Sequence, residues 1–363
     1  METPDFASLF SLQDLWQTLQ AERRPIFLYG MGNGADKILA VTRQRGIPVA
    51  GVFASDGFAR GQSFQGMPVR SFSEIAATYA PDTCVVLLAF GSARPEVLSL
   101  IEKVAERYEL YVPDVPVCGD TLFDAAFFSA HEKELAAARS LFSPESRKLF
   151  DRVLAYKLTG RYDHLMSAVT PEEEIDALLP LHMVRHATDL GAYTGDTLRE
   201  LLATTPLTAA VAMEPDRRNF KKLQAFAESV SDRCAISCHQ AAAFDRVGEA
   251  AFDASGNRNA ALATGRATME TSVATTTVDA LLAGAATDYI KYDVEGAEHA
   301  ALLGTAETLR TAHHMLKVAA YHRSEDLFDL PLLLHQLAPD HRLHLVRRRC
   351  VPAWDLDIIA LPN

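Results

Sequence analysis

Residues 189–202 read DLGAYTGDTLRELL, and this stretch decides how the C-terminal half is understood. The apolar run Val184 to Leu190 in front of it is short and bounded like a strand. Gly191 and Gly195 then bracket a tight turn, and a helical pattern opens with Asp196 and Thr197. Strand, glycine turn and helix N-terminus in that order make a cradle for a nucleotide-like ligand. This cradle carries Asp189 at the strand end and Asp196 at the turn, so it would repel a pyrophosphate and attract a cationic or hydroxyl-rich ligand.

Three further elements follow in chain order. In "AVAMEPDRRNF" the strand Ala209 to Met213 delivers Glu214 at its carboxyl end, roughly twenty residues past the turn, where an acid accepts hydrogen bonds from two ribose hydroxyls. Taken alone, Glu214 is better explained as a helix cap; taken with the turn, it points to a nucleoside. In "DYIKYDVEGAEHAALLG" a strand ends on Asp293, with Glu295, Gly296 and Glu298 leading into a helix. Chain order places this strand beside the glycine turn, so Asp293 should face the same crevice, while Glu298 is equally well a favourable charge at a helix N-terminus. In "VAAYHRSED", Tyr321 and His322 end the next strand, where an imidazole is placed to take a proton. His313 and His314 have no such setting and are expected at the surface. Asp293, Glu295 and His322 are conceivable as ligands of a divalent cation, but hydrogen-bonded acids without a metal are the expectation.

Composition narrows the alternatives. The 363 residues are 48% apolar, 23% charged and carry a formal charge of −12, which argues against a nucleic-acid or anionic-membrane footprint. The one dense basic cluster, Arg347 to Arg349, is expected to be a solvated strand end. The five cysteines form no even framework; Cys234 and Cys238 are expected as free thiols in a reducing compartment. The opening METPDFASLFSLQDLW lacks a basic, then apolar, leader pattern, and no run is long enough to span a membrane. The expectation is a cytoplasmic protein.

Before residue 119 the chain alternates strand and helix. Ile26 to Tyr29, Val49 to Ala54 and Cys84 to Phe90 are read as buried strands, with helices at Ala35 to Arg45, Phe72 to Tyr79 and Arg94 to Tyr108, which implies parallel βαβ units. Between Asp120 and Met183 strand signals stop. Ser143-Pro144-Glu145 and Thr170-Pro171 with Glu173 read as helix starts. In the third block the strand candidates are Val184 to Leu190, Ala209 to Met213, Cys234 to His239, Tyr289 to Asp293, Met315 to Tyr321, Arg342 to Val346 and Leu356 to Leu361. The last two lack a helix between them and are expected to pair antiparallel. Asp253 to Thr276 is small, polar and aperiodic, the signature of a lid, a binding loop or local disorder.

The segments "DLGAYTGDT", "MEPD", "TTTVDALL", "DYIKYDVEGAE" and "AAYHRSEDL", in this order and spacing, resemble the FkbM family of S-adenosylmethionine-dependent methyltransferases. The resemblance implies a seven-stranded class I methyltransferase fold. It implies that Asp189, Gly191, Tyr193 and Gly195 line the methionine and ribose end of the cofactor, that Glu214 holds the ribose, and that Ala241 to Phe244, with Ala242 central, flank the adenine. A rim of Asp189, Asp196 and Asp293 suits a sulfonium cation. The family often has Asn and an aliphatic residue where this chain has Tyr193 and Thr194, and an acid where it has Ala319 and Ala320. O-methyl transfer then needs a proton acceptor, either His322 or Asp293, with Glu295 orienting the acceptor.

"SPESRKLFDRVLAYKLTG" is similar to the segment preceding the methyltransferase domain in longer FkbM proteins, and the first block is similar to the small Rossmann-type domain of some sugar acetyltransferases. The second similarity rests on "GMGNGA", a strand ending near Asp56, and "RGQSFQGMPVRSFSEI". It implies a second nucleotide site at Gly30, Gly32, Asn33, Gly34 and Asp56, occupied by a nucleotide-sugar, although the glycine turn is equally well structural. The expected architecture is thus α/β: an N-terminal helix over 1–20, a small Rossmann-like domain over 21–118, a helical connector over 119–183 and the methyltransferase domain over 184–363. The expected acceptor is a small molecule or glycan precursor. A nucleotide-sugar-binding module with a degenerate methyltransferase scaffold is the alternative, and exposed connector helices leave a homodimer open.

Overall fold

The computed structural model describes residues 5–253, 270–311 and 314–363. Short 3₁₀ and α-helical segments, Ala7–Ser11 and Leu15–Ala21, lead into a first sheet. Its strands are β1 (Ile26–Tyr29), β2 (Gly51–Ala54), β3 (Ser63–Phe64), β4 (Met67–Ser71), β5 (Val85–Leu88) and β6 (Glu109–Tyr111), in the order β3-β4-β2-β1-β5-β6. Every residue of β1 and β5 is buried, as expected for continuous apolar runs covered by helices on both faces. All pairs are parallel except β3–β4. That hairpin and the three-residue β6 lie outside the sequence expectation. The hairpin turns on Gln65 and Gly66, both with positive φ (50° and 79°), the geometry that two-residue hairpins favour.

Five helices follow: Ala125–Ala130, Glu132–Leu141, Pro144–Thr159, Tyr162–Ser167 and Glu172–Leu178. The Ser143 hydroxyl caps Pro144–Thr159, as its sequence predicts, and Gly160 ends it at φ 60°. From Leu149 onward nearly every residue of this helix is buried, and Lys157 reaches Asp114 at 2.6 Å. The second predicted cap differs. Thr170 accepts a hydrogen bond from Arg347 N instead, and Pro171 stands at the N-cap of Glu172–Leu178 without a side-chain bond.

The second sheet contains β7 (His186–Leu190), β8 (Ala209–Met213), β9 (Ala235–His239), β13 (Tyr289–Tyr292), β14 (Met315–Ala319), β15 (His341–Arg347) and β16 (Leu356–Pro362), ordered β15-β16-β14-β13-β7-β8-β9. β16 runs antiparallel to both β14 and β15, so the expected antiparallel final pair is present. Between β9 and β13 lies a small sheet of β10 (Ala242–Ala243), β11 (Gly248–Asp253) and β12 (Glu270–Thr276), ordered β10-β12-β11. β12 corrects the expectation of irregular chain across 253–276. The remainder of that candidate lid, 254–269, lies outside the described residues, as does His313.

Two polar side chains expected in solvent are interior. Arg347 is fully buried, and its guanidinium donates to the carbonyls of Leu165, Ala168 and Cys350. His314 is buried between the carbonyls of Thr287 and Thr308. Both bind backbone carbonyls, the groups that irregular buried chain leaves without partners. The connection between β15 and β16 crosses to the first sheet: Ser92 and Val351 pair through their backbones, and Val351 and Ala353 join the apolar core of Phe27, Tyr29, Phe53, Val86 and Leu88. No helix among the described residues is long and apolar enough to cross a membrane.

Candidate functional site

The turn after β7 is built by close backbone approach. Gly191 N and Ala192 N both donate to Met213 O, tying the turn to the end of β8. Gly191 has φ 82°, and a Cβ placed there would lie 1.9 Å from the carbonyl oxygen of Asp293. Only glycine fits, because neither the dihedral nor the space admits a side chain. Gly195, at φ 84°, meets the Phe226 ring in the same way. Tyr193 sits at φ 48° and turns its N–H toward Glu214 Oε2, at 2.9 Å.

Glu214 is therefore not the cap of the following helix. Asp216 caps Arg217–Ser229 by accepting from Arg218 N and Asn219 N, while Glu214 accepts from the N–H groups of Tyr193 and Asp216, each at 2.9 Å. Burial pushes its carboxyl up to about 7, against those backbone donors, which favour the charged form.

Asp189 is buried one strand over, with Oδ1 3.4 Å from Lys291 Nζ and Oδ2 without a partner. The register explains the pair: Lys291 stands directly opposite Asp189 in the β7–β13 ladder. Lys291 also reaches Asp293 Oδ2 at 3.3 Å. Burial opposes the ammonium charge, but Asp189 and Asp293 outweigh it and raise the Lys291 pKa. Burial would likewise raise Asp293, yet Lys291 and His322 hold its carboxyl below the usual value.

At the end of β14, His322 is completely buried. Its Nδ1 lies 2.9 Å from Glu298 Oε1, and its Nε2 lies 3.5 Å from Glu295 and 3.6 Å from Asp293. Burial works against an imidazolium, but Glu298, then Glu295 and Asp293, push the ring up to about 10. Glu295 is raised by burial to about 7, against the pull of His322. It has φ 53°, its carbonyl accepts from Cys118 Sγ, and Tyr321 Oη donates to Asp293 Oδ1 at 3.3 Å. Asp293, Glu298 and His322 offer one ligand atom each within 4.8 Å of one another, so the group close enough to share an ion includes Glu298 and not Glu295. Glu298 already accepts from Val294 N at 2.8 Å.

These elements surround one cavity of about 330 Å³. Gly191, Tyr193, Asp196, Glu214 and Ala242 line one side, and Asp293, Glu295 and Tyr321 line the other. Asp189, Gly195 and His322 are not in the lining and act from behind it. Sequence reasoning missed Lys291, although a lysine inside an apolar strand signals a buried carboxylate partner. It also missed the wall built from Gly91, Ser92, Ala93, Val117, Trp354 and Asp355, which comes from distant segments. In the first sheet, Asn33 and Gly34 line a separate cavity, but Asp56 does not join them. Gly30 and Gly32 are likewise outside its lining, and the Asp56 carboxylate accepts from the N–H and hydroxyl of Ser73.

The family described as the methyltransferase FkbM domain matches residues 189–338. Among solved structures, the chain is similar to methyltransferase FkbM from Methylobacillus flagellatus KT, at 18% identity over 97% of this chain and 92% of that one, with a TM-score of 0.67. That likeness shows a shared fold along nearly the whole length. Lesser likenesses are to precorrin-6y C5,15-methyltransferase from Geobacter metallireducens GS-15 (10% identity, 54% of this chain and 90% of that one, TM-score 0.34). Another is to Aeropyrum pernix fibrillarin in complex with natively bound S-adenosyl-L-methionine (12% identity, 50% and 68%, TM-score 0.31). None of the curated proteins compared with the chain matches it.

Proposed function

We propose, from the match of residues 189–338 to the methyltransferase FkbM domain, that the protein is an S-adenosylmethionine-dependent O-methyltransferase acting on a hydroxyl of a sugar, a glycan precursor or a related metabolite in the cytoplasm. The observation that carries this reading is the single cavity joining Glu214 and Asp196 on one wall to Asp293 and Glu295 on the other. Glu214, oriented by two backbone N–H groups, keeps lone pairs for the ribose hydroxyls. Ala242 leaves room for the adenine. Asp189, Asp196 and Asp293 give the turn the negative character that suits a sulfonium.

S-adenosylmethionine supplies, when bound, a methyl group activated by the positive sulfur. The chain has to hold the acceptor oxygen in line and take its proton. Of the three candidates, Glu295 suits that task best. His322 is held as an imidazolium by three carboxylates, and Asp293 is kept a weak base by Lys291. Glu295 faces the cavity with a carboxyl near neutrality, where general-base catalysis is most effective. His322 then orients Glu295 and Asp293, and the Tyr321 hydroxyl fixes the Asp293 carboxylate. Calorimetric titration with S-adenosylmethionine tests the reading: saturable one-to-one binding, abolished by Glu214→Ala, is expected, and no binding by the parent chain defeats it.

A further inference from the structure

The cavity above the glycine turn of β1 lies where the sequence suggested a nucleotide, and its walls do not suit one. It measures about 230 Å³. A nucleotide over this turn would extend toward β2, where a strand-end acid takes the ribose. This cavity extends the other way, over β5 and the segment after β6, through Phe90, Val115 and Pro116. Asp56 is absent from it and already bound to Ser73. Lys37, the one cation in the lining among the described residues, donates to the carbonyls of Pro116 and Val117, each at 2.7 Å. What remains is mostly apolar: Met31, Ile38, Leu88, Phe90, Val115 and Trp354.

The residues it shares with the first cavity supply the function. Gly91, Val117 and Trp354 line both this cavity and the methyl-transfer cavity. Gly91 lies flat on the indole, since a Cβ there would fall 2.2 Å from the Trp354 ring. The two cavities thus meet at one backbone turn, one valine and one aromatic face. We infer that the second cavity holds the distal part of the acceptor, and that this part is an apolar aryl, alkyl or short acyl group attached to the hydroxyl-bearing head. The acceptor is then amphipathic, its polar end among Glu295, Asp293 and Asp355 and its apolar end against Trp354 and Val115. This inference rests on methyl transfer in the first cavity.

Calorimetry on the full chain, with S-adenosylhomocysteine bound, compares methyl β-D-glucopyranoside with phenyl β-D-glucopyranoside. The phenyl glycoside is expected to bind about tenfold more tightly, because only it buries a ring-sized apolar group. The advantage should vanish in Val115→Glu, which places a charge in the second cavity alone. Unchanged S-adenosylhomocysteine affinity shows that this variant is folded, and Met31→Glu serves if it is not. Equal affinity for the two glycosides, binding of neither, or an advantage that survives both substitutions overturns the inference. Failure of the parent chain to bind S-adenosylhomocysteine is a separate result, which removes the methyl-transfer reading and this inference with it.

Discussion

Glu295 and His322 illustrate how far single residues can be interpreted from sequence. Their positions after strand ends marked both as chemical, and the structure sets their side chains 3.5 Å apart. What the letters did not carry was the protonation state, which depends on Glu298, a residue equally explicable as a helix-dipole charge. With that carboxylate 2.9 Å from Nδ1, the ring is pushed up to about 10, and in the proposed reaction the proton passes to Glu295 instead. Glu295→Gln should lower kcat by about 100-fold or more while leaving S-adenosylmethionine affinity intact. In the parent, kcat/KM should fall as pH drops through about 7, where Glu295 takes up its proton; pH-rate profiles of the two proteins check this. A second expectation concerns stability. The His322 pKa is about 10 in the folded chain against 6.5 unfolded, so its contribution is complete below pH 6.5 and is lost as pH rises toward 10. His322→Gln should flatten the fall of melting temperature across that interval.

Strands and helices were legible wherever apolar content or a cap declared them. β1 and β8 begin and end where the sequence placed them. The β3–β4 hairpin was hidden because its strands are too short to show alternation. β12, ETSVATT, was hidden because its small polar side chains show no apolar alternation, although threonine and valine suit a strand once a partner pairs with them. Polar letters misled again at Arg347 and Thr170, where an arginine and a threonine satisfy buried backbone groups between connector and sheet. The connector helix Pro144–Thr159 is held by a comparable device. Buried Lys157 pairs with the half-buried Asp114, and removing the lysine leaves that carboxylate without its cation. Lys157→Ala should therefore cost about 3–5 kcal/mol in a urea titration; a loss below 1 kcal/mol would show the pair to be dispensable.

At the scale of the whole molecule, the resemblance in the C-terminal half foretold the seven-stranded sheet and the acids along its edge. It could not foretell the facing wall. Gly91, Val117 and Trp354 are separated by long stretches of chain, and no periodicity links residues that meet only when two sheets pack. The β15–β16 connection makes that meeting, with Val351 and Ala353 buried against the core of the first sheet. Ala353→Asp should accordingly loosen strands β1 and β5, far from it in sequence, more than the neighbouring β16. Hydrogen exchange resolved by segment would show this, and unaltered protection of β1 and β5 would count against it.

The same connection bears on the order in which the protein is made. Domains ordinarily fold as they leave the ribosome, the N-terminal one first. Here the first sheet lacks part of its interior until residues 350–355 have emerged, so its nascent form holds an open apolar face throughout synthesis of the second sheet. A chain lacking residues 350–355 would leave that face uncovered, so the first sheet depends for its closure on a segment made after most of the second.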